Sequence, residues 1–419
     1  MCVIRYCYLV ALPLALGCVP PVPPDVPTAD AGPDQTVAVG TAVTLDGSGS
    51  TDPNGETLVY FWEQTGGPTV ALSDVHGVRP AFTALNESTV LTFRLTVTNR
   101  DNQSASDSVD VKVTGTIGKI PQLFVANRSV DSVVSFQYPA TQDGDVSPTT
   151  HLTGLLTQLK APTACAVPSN GTLVISNFDT PSLTLYENAA SVTGNRAPDR
   201  IIEGSATLLT TPTALTLNTA RTSLYVAETG FVNRIVIFDN ITSAVVGGNT
   251  PPSRTIASGN IVGPLGIFLD GRDDLYVANG AIGNVAVFAE ASTLNGYVLA
   301  SRTLTSAAFG AVSDVLVDAS NRLLVVNGAI GNNQISIFSN APALDGYVTP
   351  SLTLIVQGAR NLSAIAIDKQ GTGFLSDFDG NVVYVYDNIA TRSGTQSPDR
   401  TIRGGKTLLN GPSHLFVYE

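Results

Sequence analysis

The chain has 419 residues, and its 34 Asp and Glu against 22 Lys and Arg give a formal net charge of −12. This length is typical of two or three domains, or of one small domain followed by a repeat array. Only 13% of the residues are charged and 43% are hydrophobic, which excludes a wholly disordered chain. The 38 Gly and 25 Pro favour short strands joined by turns, so we expect an all-β protein. An acidic chain without clusters of Lys and Arg also argues against a nucleic-acid partner.

The first 17 residues have the pattern of an export signal. Arg5 is the only positively charged side chain there, and the segment from Tyr6 to Leu16 is almost wholly apolar. A run of this length is too short to cross a bilayer, but it fits the apolar region of a signal peptide. We therefore expect residues 1–17 to direct export.

The segment from Leu14 to Cys18 (LALGC) resembles the processing site of bacterial lipoproteins. In that family the cysteine is acylated and becomes the N-terminus. The resemblance therefore implies a lipid anchor on Cys18 that holds the protein at a membrane without a transmembrane helix. Val19 follows the cysteine, which in that family implies the outer membrane or the cell surface. An ordinary cleaved signal with an incidental cysteine is the alternative.

The cysteine count and the next segment fit an anchored, exported chain. Three of the four cysteines lie in the first 18 residues, which leaves Cys165 alone in the remainder. We therefore expect no intramolecular disulfide after processing, and a buried thiol at Cys165. Residues 18–28 include the proline-rich run from Val19 to Pro27, which is typical of a semi-rigid spacer.

Residues 29–115 predict a small β-sandwich. Alternating apolar and polar residues run from Leu91 to Thr98 and from Ser108 to Val113, which is the period of a half-buried strand. Turn-forming residues fill the stretch from Asp46 to Gly55. The only tryptophan, Trp62, ends an apolar run and is expected to fill the core of an immunoglobulin-like fold.

The same segment resembles a PKD domain. The resemblance rests on AGPD from Ala31, LDGSGS from Leu45, DPNG from Asp52 and the Tyr60-x-Trp62 pair. It implies a spacer, or a module that contacts proteins or carbohydrates.

Some members of the PKD family bind calcium through acidic loop residues. The resemblance therefore makes Asp52, Asn54 and Glu56 candidate Ca²⁺ ligands, and we expect no other cofactor. Side chains that cap the backbone of the turn are the alternative interpretation of these three residues.

Residues 119–419 contain six copies of a unit about 50 residues long. Each copy has a strand that ends in a polar residue, a strand that ends in an aromatic residue, an outer strand, and a short apolar strand often led by proline. The polar strand ends are Asn127, Asn177, Glu228, Asn279, Asn327 and Asp377. Four strands per copy describe one blade, so six copies predict a six-bladed β-propeller.

The order of the strands predicts how the propeller closes. The first copy begins at a second strand, Leu123 to Asn127, and the chain ends on a first strand, His414 to Tyr418. Pairing these two strands would complete the first blade and leave no open edge. The stretch from Pro264 to Asn279 resembles the NHL repeat, and more loosely the gluconolactonase-like propellers.

The six polar strand ends form the candidate ligand ring. In propellers of this kind, the turn after the second strand lies on the face around the central channel. Amide and carboxylate oxygens there suit a metal ion or a sugar. Asn and Asp also end strands because they tolerate left-handed backbone and cap turns, and this is the simpler interpretation.

The sequence favours binding over catalysis. None of the three histidines has the partner of a zinc-protease helix, and there is no Gly-x-Ser-x-Gly elbow. We therefore predict an envelope-anchored lipoprotein whose propeller binds a glycan, peptide or protein partner without catalysis. The alternative is a metal-dependent hydrolase or lactonase of the gluconolactonase-like type, for which Glu228, Asn279 and Asp377 are the matching residues. A structural scaffold without a small ligand is a third interpretation.

Overall fold

The computed structural model describes residues 26–39, 41–84, 89–114, 120–328 and 333–419. The chain divides into two compact units, of which the second is Ile120–Glu419. The described residues form β-strands and three-residue 3-10 helices, with no α-helix among them, so the all-β prediction is confirmed. No helix in these ranges is long and apolar enough to cross a membrane.

The first unit consists of two β-sheets around one core. In hydrogen-bonded order, the strands of the larger sheet are Gln35–Ala38, Ser104–Thr114, Thr89–Thr98 and Val59–Gly66, and those of the smaller sheet are Ala42–Thr44 and Ala81–Thr83. The first pair of the larger sheet is parallel and the others are antiparallel. Trp62 is 1% exposed among Phe82, Phe93 and Leu95, as its place in the apolar run predicts. Its indole Nε1 donates to the Gly77 carbonyl over 3.2 Å, which satisfies the one polar atom of the side chain.

The second unit contains six sheets, which we number 1 to 6 along the chain and in which the first four strands are antiparallel. Their first to fourth strands are, in sheet 1, Pro412–Tyr418, Gln122–Asn127, Ser132–Gln137 and Thr150–Thr153; in sheet 2, Pro162–Ala166, Leu173–Asn177, Ser182–Tyr186 and Arg200–Glu203; in sheet 3, Pro212–Leu217, Leu224–Glu228, Arg234–Phe238 and Arg254–Ala257; in sheet 4, Pro264–Leu269, Leu275–Asn279, Asn284–Phe288 and Arg302–Thr305; in sheet 5, Val312–Val317, Leu323–Asn327, Gln334–Phe338 and Leu352–Val356; and in sheet 6, Leu362–Ile367, Gly373–Asp377, Val382–Tyr386 and Arg400–Arg403. Short fifth strands, Gly296–Tyr297, Gly346–Tyr347 and Gly394–Gln396, extend sheets 3, 4 and 5.

Eight 3-10 helices lie in the described connections of the second unit. They are Arg128–Val130, Pro139–Thr141, Leu155–Thr157, Ser205–Thr207, Ala291–Thr293, Ala341–Ala343, Ile389–Thr391 and Gly405–Thr407.

The C-terminal strand belongs to sheet 1, although the rest of that sheet lies at the start of the unit. Pro412–Tyr418 pairs antiparallel with Gln122–Asn127, with Leu415 opposite Val125. This is the pairing that the order of the strands predicts. It covers the backbone edge that Gln122–Asn127 would otherwise expose.

Neighbouring sheets pack face to face through apolar side chains. Val174 and Leu185 of sheet 2, for example, form one buried cluster with Leu215 and Val226 of sheet 3. Second strands such as Leu224–Glu228 are buried along their whole length. A sheet covered on both faces has no solvent side, which explains why these strands are nearly continuous apolar runs instead of alternating ones. Cys165 is fully buried in this packing, and burial raises the pKa of its thiol.

The first strands of the six sheets follow one another in a cycle. Each contacts the first strand of the preceding and of the following sheet, and the first strand of sheet 1 contacts those of both sheet 2 and sheet 6. The six sheets therefore have their first strands on a common inner side.

A second set of contacts joins the outer strands. In each sheet, a glycine in the connection between the third and fourth strands pairs in parallel with the fourth strand of the preceding sheet. These glycines are Gly144, Gly194, Gly248, Gly296, Gly346 and Gly394. All six have positive φ, between 60° and 83°, a conformation that favours glycine. Gly144 of sheet 1 pairs with Ile402 of sheet 6, so this outer set also returns to its start.

Candidate functional site

A cavity of about 310 Å³, which we call the upper cavity, lies where the six first strands begin. The second residue of every first strand lines it, and these residues are Thr163, Thr213, Leu265, Ser313, Ser363 and Ser413. The remaining lining comes from the turns around this end, mainly Arg128, Asn361 and Phe378. A volume of this size is at the lower end of the roughly 300–1,000 Å³ found for small-molecule pockets.

A bulge at the same point of all six sheets marks the lining residue. The register between the first and second strands shifts between the first and third residues of each first strand, for example between Pro162 and Ala164. The second residue, such as Thr163, therefore has no direct partner in the ladder. Bulges of this kind re-aim a side chain, and here all six side chains reach the same cavity.

Five of these six residues carry a hydroxyl, and we call Thr163, Thr213, Ser313, Ser363 and Ser413 the hydroxyl ring. Each hydroxyl donates to the carbonyl of the first residue in the next sheet's first strand. Thr163 bonds Pro212 at 2.8 Å, Thr213 bonds Pro264 at 2.7 Å, Ser313 bonds Leu362 at 3.1 Å, Ser363 bonds Pro412 at 2.7 Å and Ser413 bonds Pro162 at 3.0 Å. The bonds connect successive sheets in one direction, and Leu265 of sheet 4 is the single interruption.

Arg128 lines the upper cavity and lies over an aromatic ring. The residue after the second strand is Arg128 in sheet 1, Phe178 in sheet 2 and Phe378 in sheet 6, the two neighbours of sheet 1. The guanidinium carbon of Arg128 lies 4.3 Å from the centre of the Phe178 ring, a cation–π contact. Within the described residues, Arg128 has no carboxylate partner, and the side-chain amide of Asn361 has no hydrogen-bond partner.

The candidate ligand ring predicted from the sequence lies one strand outside this cavity. All six of its members are fully buried, and each stands opposite the first residue of its sheet's first strand. In each, a side-chain oxygen accepts a backbone N–H from the loop that leads into that strand. The acceptor and donor pairs are Asn127 with Asn410, Asn177 with Lys160, Glu228 with Thr210 and Thr211, Asn279 with Val262, Asn327 with Gly310, and Asp377 with Arg360 and Asn361. These bonds favour the interpretation that the polar strand ends hold the loops in place.

The two acidic members of the ring are held in the same way as the amides. Burial raises the pKa of Glu228, and the N–H groups of Thr211 and Thr210 partly oppose that effect. Asp377 accepts the backbone N–H of Gly380 at 2.9 Å and the Tyr384 hydroxyl at 3.1 Å, in addition to its loop. Glu228 Oε2 and both carboxylate oxygens of Asp377 are thus engaged, whereas Glu228 Oε1 is buried without a hydrogen-bond partner among the described residues. The described part of the chain contains no group of three or more His, Cys, Asp or Glu that could hold a metal ion.

Of the calcium candidates in the first unit, Asp52 caps its own turn and Glu56 accepts a backbone N–H from another turn. Asp52 Oδ1 accepts the backbone N–H of Asn54 at 2.8 Å and of Glu56 at 3.2 Å, and Asp52 Oδ2 accepts the Asn99 amide at 3.2 Å. Glu56 Oε2 accepts the backbone N–H of Arg100 at 3.3 Å. These contacts match the alternative interpretation, in which acidic side chains satisfy the turn backbone.

A second cavity of about 340 Å³, the lower cavity, lies further along the same first strands. Its lining combines apolar side chains with the charged or titratable side chains of Arg221, Asp314 and His414. Asp314 accepts the N–H of Val315 at 2.9 Å and of Ile365 in the next sheet at 3.0 Å. Burial raises the pKa of Asp314 to about 7 and lowers the pKa of His414 to about 4. Nδ1 of His414 is enclosed and has no hydrogen-bond partner within the described residues.

Neither cavity was predicted residue by residue. The signal for the hydroxyl ring was a Ser or Thr after the first residue of the short apolar strand, and the signal for Arg128 was its place after a polar strand end. The predicted signal peptide, Cys18 and most of the proline-rich segment lie outside the described residues.

Comparison with known proteins identifies the first unit. Residues 31–113 match a family model that describes a PKD domain. The mouse Dyslexia-associated protein KIAA0319-like protein is 38% identical over 106 residues, which cover 25% of this chain and 10% of the mouse protein. The solution structure of the PKD domain from KIAA 1837 protein is 35% identical, covers 22% of this chain and 88% of that one, and has a TM-score of 0.20.

A larger share of the chain resembles a crystal structure of a protein of unknown function from Bacteroides caccae. That likeness covers 71% of this chain and 99% of the other, at 10% identity and a TM-score of 0.48. The family match falls on the segment that carries the AGPD, LDGSGS and DPNG motifs, within the predicted 29–115. Residues 31–113 of this chain are a PKD domain.

Proposed function

We propose that the second unit is a closed six-bladed β-propeller of the NHL-like kind. Three features support closure: the cycle of first strands, the one-way hydroxyl bonds between sheets, and the outer glycine pairs that join sheet 6 to sheet 1. Each sheet is then one blade, and the C-terminal strand completes the blade that begins at Gln122. In this arrangement the upper and lower cavities are the two parts of the central channel.

The propeller's function in this proposal is noncatalytic recognition at the upper cavity, with a glycan, peptide or protein as the partner. The observation that carries it is Arg128, a cation without a carboxylate partner in the described structure, at the edge of a cavity shared by all six sheets. Arg128 is half-buried and has no ion-pair partner among the described residues, so its guanidinium is available to a ligand group of opposite charge. Small-molecule sites are typically apolar concavities with a few placed polar groups of this kind.

The test is a binding screen of the full chain against glycans and peptides, with and without a plug in the upper cavity. Leu265 is 43% exposed and makes no side-chain hydrogen bond in the described structure, so Leu265→Trp fills the cavity without breaking the hydroxyl ring. Leu299→Trp is the matched control, because Leu299 is 74% exposed and lies outside both cavities. We expect ligands that bind the wild type and Leu299→Trp but not Leu265→Trp. No ligand for the wild type, or equal binding by all three, would contradict recognition at this site.

The proposal places this propeller at the cell envelope, with the PKD domain as a spacer. The apolar signal and the LALGC motif support export and a lipid on Cys18, and the proline-rich segment supports separation from the membrane. Palmitate labelling of cells that express the chain tests the anchor. Label that disappears in Cys18→Ala is the expected result, and label that persists in this variant would contradict lipidation at Cys18.

A further inference from the structure

We propose that the ligand of the upper cavity is an acidic sugar residue, whose carboxylate pairs with Arg128. This inference rests on the proposed recognition function and names its ligand class. The complementary surfaces are the Arg128 guanidinium, the hydroxyl ring and the apolar wall beside them.

Arg128 is the cation available for a carboxylate. Its guanidinium carbon lies 4.3 Å from the centre of the Phe178 ring, and its N–H groups have no hydrogen-bond partner among the described residues, so they are available to a planar, two-oxygen partner. The nearby Lys160 is already neutralised, because its Nζ lies 3.0 Å from Asp131. The acidic side chains on the adjacent turns, Asp179 and Asp379, are exposed to solvent, where water and salt screen their charges.

The hydroxyl ring selects for a ligand that donates hydrogen bonds. Each of its five hydroxyl groups is within hydrogen-bond distance of a carbonyl of the next sheet, to which it can donate its hydrogen. The oxygens that line the cavity therefore retain lone pairs and act as acceptors towards a ligand. Sugar hydroxyl groups are donors of the matching kind, whereas a simple aliphatic carboxylate has none to offer.

The apolar part of the lining fits the C–H face of a sugar ring. Phe378 and Leu265 are both partly exposed in the upper cavity, and Ala311 and Gly328 add little bulk beside them. The free amide of Asn361 adds one donor and one acceptor at the same edge. A cavity of about 310 Å³ accommodates a single ring at the end or within a chain, not a long segment.

The test is calorimetric titration of the full chain with three probes. They are a glucuronate-containing disaccharide, the same disaccharide with glucose in place of glucuronate, and a short peptide with a free C-terminal carboxylate. We expect the acidic disaccharide to bind at least tenfold more tightly than either of the others. Arg128→Gln should weaken the acidic disaccharide on the order of tenfold to a hundredfold, since it removes a charge-assisted bond. Arg128→Lys keeps the positive charge but loses the pair of N–H donors that can bind two oxygens at once. We expect its affinity for the acidic disaccharide to lie between those of the wild type and Arg128→Gln.

Arg221→Gln is the matched control, because Arg221 also lies over aromatic rings, 5.7 Å from Phe416, but lines the lower cavity. It should bind the acidic disaccharide as the wild type does. Equal affinity for the neutral disaccharide, or tighter binding of the peptide, would overturn the acidic-sugar assignment. If Leu265→Trp then abolishes the binding of that other ligand, the proposed recognition at the upper cavity still stands. Binding that Leu265→Trp leaves unchanged would overturn the site itself.

Discussion

Asp314 is an acid held inside the wall of the proposed channel. It occupies the third position of its strand, where the other five sheets carry Ala164, Ala214, Gly266, Ala364 and His414. Gly266 of the preceding sheet leaves the space that the carboxyl group fills, because an added Cβ there would collide with Asp314. The carboxyl group satisfies two backbone N–H groups, one of them across the sheet boundary, and this is its structural use.

The buried carboxyl group predicts a specific dependence of stability on pH. In the unfolded chain an Asp ionises near pH 4, whereas in the folded protein the pKa of Asp314 is about 7. Below pH 4, Asp314 is protonated in both states and does not change the free energy of unfolding. Between pH 4 and pH 7 it ionises only in the unfolded chain, so the folded protein loses stability as the pH rises. Above pH 7 this loss is complete. Between pH values below 4 and above 7, the free energy of unfolding therefore falls by about 4 kcal/mol because of Asp314.

Asp314→Asn removes this titration and keeps one oxygen acceptor. We expect the free energy of unfolding of the wild type, relative to this variant, to fall steadily between pH 4 and pH 7.5 in urea titrations. His414 stays in both proteins, so its opposite titration cancels from the comparison. A constant difference across that range would show that Asp314 is ionised in the folded protein.

The elements themselves were predicted closely, whereas the way they expose side chains was not. Pro212–Leu217 and Pro264–Leu269 begin at a proline and Leu275–Asn279 ends at a polar residue, as the repeat pattern predicted. The bulge near the start of each first strand has no such marker. It shifts the alternation by one residue, so the pattern of apolar and polar residues does not indicate that Thr163 or Ser363 faces a cavity.

The hydroxyl ring makes a prediction at the level of the strand pairs. Ser363→Ala removes the bond to the Pro412 carbonyl, and we expect it to lower the free energy of unfolding by about 1 kcal/mol. Leu265→Thr places a hydroxyl at the one position that lacks it, next to the Val312 carbonyl. In the same denaturation measurements, we expect Leu265→Thr to lower the free energy of unfolding by less than Ser363→Ala does, or to raise it. A greater loss for Leu265→Thr would mean that the ring bonds do not hold the sheets together.

For the whole molecule, the sequence predicted the repeat and its C-terminal strand, but not the contacts that join the sheets. The glycines from Gly144 to Gly394 lie in connections that look like ordinary turns, and their pairing with the preceding sheet depends on where that sheet lies. In the same way, the polar strand ends were visible as a set of six, but only the folded structure reveals that loops already occupy their oxygens. Long-range partners of this kind leave no local pattern in the chain.

Calorimetric unfolding of a chain that lacks residues 412–419 is the decisive measurement for the closed ring. Removing this strand exposes the edge of Gln122–Asn127, breaks the Ser413 bond to sheet 2 and removes the contact between the first strands of sheets 6 and 1. We predict that the transition of the second unit shifts to a lower temperature or loses its cooperativity, while the transition of the PKD domain, the internal control, stays in place. An unchanged transition of the second unit would contradict the closed propeller and, with it, a cavity shared by all six sheets.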